Sequence, residues 1–271
     1  MRRLAGKIKR YWRLMLSLRR IGLINRMAYR VNFFIACFAV LLNMAMTIIF
    51  LKVIFQFVNN FSGWGYYQAL VVVATFMLVD GLIWVFCACL VVLSNSIRDG
   101  NFDRFLVAPV DPQFLVSMWR GDGEDATRII TGLVLLFYAV SNLALGPWDM
   151  LARGLMYVLL VINASLIVYS VYLILRTFSF WFVEVRALAT FGNIFLQTAQ
   201  YPASIFYHKI AKLLVYSALP LAFIATVPAK ILAYGFDWRF VAGSFLVAAT
   251  FLFVSRQFWL YALRHYTSAS S

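Results

Sequence analysis

Along the chain, long runs of apolar positions alternate with short polar breaks. Apolar residues fill Val31–Val58, Ala69–Leu93, Ala126–Leu145, Ala152–Leu175 and Val241–Leu263, with a broken run between them from residue 187 onward. Each unbroken run approaches or exceeds the roughly 20 residues a helix needs to cross a hydrocarbon core of about 30 Å. The runs continue for several turns without the polar alternation of a barrel strand, so helices are the spanning elements they predict.

Before the first run, Leu4, Ile8, Tyr11, Met15, Leu18 and Ile21 recur at steps of three or four among basic residues. This spacing predicts an amphipathic helix over residues 1–30, lying on a membrane surface. The segment has ten Lys or Arg and no acid. It lacks the layout of a removable signal, and its charge places the amino terminus in the cytoplasm by the positive-inside rule.

The remaining pattern gives six spans, at about 31–58, 69–93, 126–145, 152–175, 187–201 and 241–263, with both termini cytoplasmic and a tail at 266–271. The first outer loop, near Gly63–Tyr67, carries interfacial aromatics. Pro202, Pro220 and Pro228 break the apolar run after residue 187, and His208, Lys209 and Lys212 sit inside it. Interrupted helix at membrane depth needs protein or water around its freed backbone groups. Residues 202–237 are therefore expected to be re-entrant or outer-surface helices, or a seventh span if 210–232 crosses completely. The fold class is an all-α polytopic membrane protein, with residues 31–265 as one transmembrane domain.

Composition agrees. Of 271 residues, 64% are hydrophobic and 13% charged, and mean hydropathy is +0.85, which leaves too little polar surface to cover a soluble globule. The net charge of +14 does not point to nucleic acid, since ten of the 24 basic residues sit beside the first span, where orientation and anionic lipid account for them. The cysteines, Cys37, Cys87 and Cys89, lie in apolar runs without metal-ligand spacing, and no metal site is expected.

Three polar features stand out. Asp80 lies within the second apolar run, where a carboxylate must face the protein interior, either in a structural contact or along a translocation path. Lys52, near the outer end of the first run, can snorkel to the interface. The polar interval 94–125 holds six of the ten acidic residues, yet also Phe102, Phe105, Leu106, Phe114, Leu115 and Met118, so short helices there are expected to pack on something. Its end, from Asp122 to Asp125, is expected to form a solvated acidic helix start.

No catalytic constellation is present. There is no HExxH, and no Gly-rich phosphate loop ending in Gly-Lys-Ser or Gly-Lys-Thr, so this chain cannot hydrolyse ATP by a P-loop mechanism. The stretch from Asp122 to Arg128 is superficially similar to the start of the membrane phosphoalcohol transferase motif, but Thr127 separates its Ala and Arg and the further aspartates are missing.

The interval Ile97-Arg98-Asp99-Gly100-Asn101-Phe102-Asp103-Arg104-Phe105-Leu106-Val107-Ala108-Pro109-Val110-Asp111-Pro112 resembles the Ile-x-x-Gly-x-x-Asp-x-x-Leu-x-x-Pro-x-x-Pro signature of type-2 permeases of ATP-binding cassette exporters. Tyr201–Phe206 and Leu219–Ala229 are similar to the proline-marked outer region of the same bacterial, six-span family. The resemblance implies a cell-membrane permease that pairs with a second permease, identical or homologous, and with two ABC-type ATPase subunits. ATP and magnesium would bind those partners, and this chain would hold no cofactor. It also implies that the coupling loop docks on the ATPase through Arg98, Asp99, Gly100, Phe102, Asp103, Arg104, Phe105, Pro109 and Pro112. Two rivals stand beside it: a membrane-embedded lipid-modifying enzyme, and an ATP-independent channel or scaffold.

Overall fold

A computed structural model describes residues 9–18, 30–58, 62–88, 93–119, 125–143, 146–182, 186–205 and 220–266, with single positions 20, 60, 90, 208, 215 and 216. Helices make up most of the described residues, and four of them are long and apolar enough to cross a membrane. Arg186 to Gln200 and 220–232 are only partly within reach of the fifth-span and outer-region expectations, because residues 206–207, 209–214 and 217–219 lie outside the described set, as does most of 1–30.

Helix α1 comprises residues 9–18. Then follow α2 (Arg30–Phe57), α3 (Tyr66–Cys87), the short α4 (Leu93–Arg98), α5 (Asp103–Val107) and α6 (Pro112–Met118), and α7 (Ala126–Ser141). The chain continues through α8 (Pro147–Thr177), α9 (Arg186–Gln197), a π-helical turn (Ala222–Thr226), α10 (Val227–Tyr234) and α11 (Trp238–Arg264). At about 1.5 Å per residue the 16-residue α7 reaches only about 24 Å, which explains why length alone singles out α2, α3, α8 and α11.

At the centre lies α3, buried along Ala69–Val79 and packed chiefly on α7 and α8, while α11 and α10 close the far side of α8. Hydrophobic attraction between helices is weak in lipid, so small residues and hydrogen bonds fix these crossings. At Gly81 an added Cβ would stand 2.8 Å from Ile129 Cγ1 and 3.1 Å from its backbone nitrogen, so only glycine lets α3 and α7 approach so closely. Thr75 and the Tyr157 hydroxyl meet at 3.0 Å between α3 and α8, and Asn163 Nδ2 donates to Ser244 Oγ at 2.6 Å between α8 and α11. Helix α2 is the exception: it leans mainly on α7 and leaves Phe34, Phe38, Met46 and Phe50 exposed.

At one end, the loop before α3 clasps the proline-marked region. Trp64 Nε1 donates to Ser204 Oγ at 3.1 Å, Ser62 Oγ to the Ser204 carbonyl at 2.9 Å, and the Tyr234 hydroxyl to the Gly63 carbonyl at 2.6 Å. Pro202, Pro220 and Pro228 are all buried. Pro228 lacks the N–H that would continue a regular helix, and the π-helical turn just before it takes up the mismatch.

Candidate functional site

The opposite end of the bundle carries the polar interval, whose elements are α4, α5 and α6. Gly100 (φ +69°) turns the chain between α4 and α5, in a left-handed conformation that glycine adopts without strain. Asp111 then starts α6: its carboxylate accepts from the backbone N–H groups of Gln113 (2.9 Å) and Phe114 (3.3 Å), and Pro112 occupies the first turn, where no donor is lost.

Phe102 and Phe105 of this interval turn inward. Phe102 is fully buried, with edge contacts to Phe180 (5.2 Å between centroids), Trp259 (6.2 Å) and Tyr266 (5.1 Å). Phe105 is 3% exposed, against Trp119, and Asp103 accepts a hydrogen bond from the Tyr266 hydroxyl at 3.0 Å. These side chains serve the chain's own core rather than an outer surface. What the interval presents outward is Arg98, paired with Asp99 at 3.2 Å, together with Arg104, Pro109, Leu106 and Val107, the last 85% exposed. Pro112 is half-buried.

A second group of contacts ties α6 to the bundle. Arg256, in α11, reaches Asp111 with both amino groups (2.7 and 3.3 Å) and also donates to Gln113 Oε1. Gln113 Nε2 donates to the Tyr169 hydroxyl at 2.9 Å, which also meets Ser117 Oγ at 2.9 Å. From α1, the Tyr11 hydroxyl accepts the Asp111 N–H at 3.3 Å, and its ring meets Phe114 edge-on at 4.7 Å. Three separate parts of the chain, α1, α8 and α11, thus converge on α6. Arg256, Gln113 and Tyr169 are not among the residues the sequence reading selects, and Tyr11 enters it only as an apolar position of the amphipathic helix.

Partial burial pushes the Asp111 carboxyl up, but the Arg256 hydrogen bonds and charge, with the two backbone N–H groups, outweigh it and hold the group below the ordinary carboxylate value. A depressed folded value means that the contribution is present above the unfolded value, about 3.9, and is lost as pH falls through the lower folded one. Asp111→Ala is expected to cost roughly 1–2 kcal/mol, the sum of a lost helix cap and a partly exposed ion pair. Thermal unfolding in lipid nanodiscs should show the deficit undiminished from pH 8 to 5 and shrinking only in stronger acid.

Asp80 does face the interior. It accepts from Trp84 Nε1 at 3.0 Å and pairs with Arg128 of α7, whose Nε lies 2.8 Å from Asp125 Oδ1. Asp125 is 7% exposed, so its carboxylate, expected in a solvated acidic start, faces inward and joins Asp80 and the partly exposed Arg128 in a triad; residues 122–124 of that start lie outside the described set. A cavity of about 520 Å³ opens beside this triad, between α2, α3, α7 and the end of α9. Among the described residues no group of three or more His, Cys, Asp or Glu is placed to hold a metal.

Compared with known proteins, residues 41–270 match a family described as ABC-2 family transporter protein. Neither the curated proteins nor the solved structures gave a match.

Proposed function

The chain belongs to the ABC-2 transporter family, and from that membership we propose that it is the six-span permease subunit of an ATP-driven exporter, pairing with a second permease and with two cytoplasmic ATPases. It is a multi-pass membrane protein and a transport component, and ABC-2 permeases work with ABC-type ATPases. Export rather than import, the dimer, the bacterial inner membrane and the cytoplasmic side of the polar interval belong to the proposal. The observation that carries it is the form of that interval: short helices locked from behind by Phe102 and Arg256, presenting an exposed apolar tip at Leu106, Val107 and Pro109 between charges. Such a tip, at the end of the bundle away from lipid, is suited to burial against a protein partner.

In this reading ATP closes the ATPase pair, and α5 and α6 move with it. Because α6 is clamped to α8 and α11, the movement passes to two spans as a rigid-body tilt, and access switches between two packed states. The driving free energy is ATP's preference for the closed state; this chain contributes the linkage.

Affinity purification of the tagged chain from native membranes in mild detergent tests the proposal. A P-loop ATPase is expected at one copy per permease. Recovery of the permease with no ATPase, from membranes in which it is folded, would refute it and favour the channel or scaffold reading.

A further inference from the structure

The 520 Å³ cavity has two kinds of wall. Nearer the polar-interval end stand Asp80, Asp125 and Arg128, two carboxylates about one guanidinium. Toward mid-depth, Asn43 comes from half-way along α2, while Gln197 and Gln200 come from the end of α9 and the turn after it. The remaining surface is apolar, with Val40, Met44, Val73, Phe76 and Met77, apart from Thr47, whose hydroxyl donates to the Asn43 backbone carbonyl.

The three carboxamides are the informative groups. None of their side chains has a hydrogen-bond partner among the described residues; Asn43 and Gln197 are exposed and Gln200 half-buried, and all three line this one cavity in the membrane-spanning region. Unsatisfied amides in hydrocarbon are costly, so side chains of this kind are kept where water or a ligand meets them. Three carboxamides facing one space can donate and accept at once, which matches hydroxyl or amide groups. An anionic headgroup fits badly, because the charged wall has two carboxylates for one guanidinium and no uncompensated cation. The volume is that of a small-molecule site, and the apolar wall suits an alkyl chain.

We propose that this cavity binds an amphiphile whose headgroup is uncharged and rich in hydroxyls or amides. As a substrate site it rests on the transport reading above; as a binding site it stands without the ATPase. Asn43, Gln197 and Gln200 hydrogen-bond the headgroup, and the Met44, Phe76 and Met77 side takes up the chain.

The permease, purified from native membranes into lipid nanodiscs with whatever partner accompanies it, is titrated with fluorescent dodecyl glucoside, with methyl glucoside as competitor, and with dodecyl phosphate at matched chain length. Saturable binding of dodecyl glucoside is expected, with methyl glucoside and dodecyl phosphate at least about tenfold weaker. Gln200→Leu and Asn43→Leu should each weaken the glucoside about three- to tenfold, the worth of one hydrogen bond. Should Asn43→Leu fail to fold, Gln200→Leu and Gln197→Leu, on a different element, carry the test. Equal binding of dodecyl phosphate would overturn the uncharged headgroup, and equal binding of methyl glucoside the amphiphile. Unchanged affinity in the leucine variants, including one in which Asn43→Leu merely dissociates a dimer, would overturn the site. Loss of the ATPase from the purified permease with glucoside binding intact would overturn the transport reading and leave the site.

Discussion

Phe102→Ala is expected to strip the folded permease from the membrane, whereas Val107→Asp, five residues away, is expected to leave the fold intact and remove the ATPase. Phe102 is fully buried against Phe180, Trp259 and Tyr266, so truncation empties a ring-sized volume at the point where the interval, the end of α8 and the end of α11 meet. Core Phe→Ala changes cost about 3–5 kcal/mol, a large part of the 5–15 kcal/mol that holds a typical domain together. Val107 is 85% exposed, and a surface change away from such packing shifts stability by about 0.5 kcal/mol or less. A charge placed on an apolar docking tip instead opposes its desolvation by the partner. Fluorescence-detected size exclusion measures the first effect, and the ratio of ATPase to permease after purification measures the second. If Phe102→Ala folded normally and lost only the ATPase, the buried ring would have to be a partner contact, contrary to its packing. If Val107→Asp kept the ATPase, docking would have to use another surface.

That contrast marks where sequence reasoning is strong and where it is not. Helix positions follow from apolar period and length, and α2, α3, α8 and α11 overlap the expected runs at 31–58, 69–93, 152–175 and 241–263, with ends that differ by up to six residues. The residue pattern of the polar interval also carries the family resemblance. It does not say which way each side chain turns, because in a short amphipathic helix the same aromatic can face a partner or its own bundle. Phe102 and Phe105 turn to the bundle, so the outward role falls to Leu106 and Val107.

Partners distant in sequence are harder still. The rule that an ionisable group inside an apolar helix needs a reason picks out Asp80, and it applies equally to Arg256 in the last span. Pairing Arg256 with Asp111, 145 residues earlier, requires knowing that α11 and α6 meet at one end of the bundle. Likewise Arg128 lies in what reads as a solvated helix start. It becomes Asp80's partner only because Gly81 lets α7 come within contact of α3, a crossing that no local pattern encodes.

Arg128→Ala is therefore expected to be the most damaging change in the membrane-spanning part of the chain. It leaves Asp80 with a single hydrogen bond from Trp84 and takes from Asp125 the partner one helical turn away. Removing one member of a buried ion pair costs about 3–5 kcal/mol, chiefly through the charge left behind, and the guanidinium's partial exposure to the cavity places the expected loss at about 3 kcal/mol. The reciprocal change, Asp80→Asn, keeps the Trp84 contact and leaves Arg128 its pair with Asp125, so about 1 kcal/mol is expected. The double variant should then lose about 2 kcal/mol where additivity gives about 4, regaining about a third of the Arg128→Ala loss, a coupling of roughly 2 kcal/mol in thermal unfolding of the nanodisc-embedded protein. Simple additivity would mean that Asp80 is already neutral or solvated and that α3 and α7 are held by the Gly81 crossing alone. Coupling of the expected size would mean that the triad fixes the two spans to one another, and any movement of α7 relative to α3 would then have to break it.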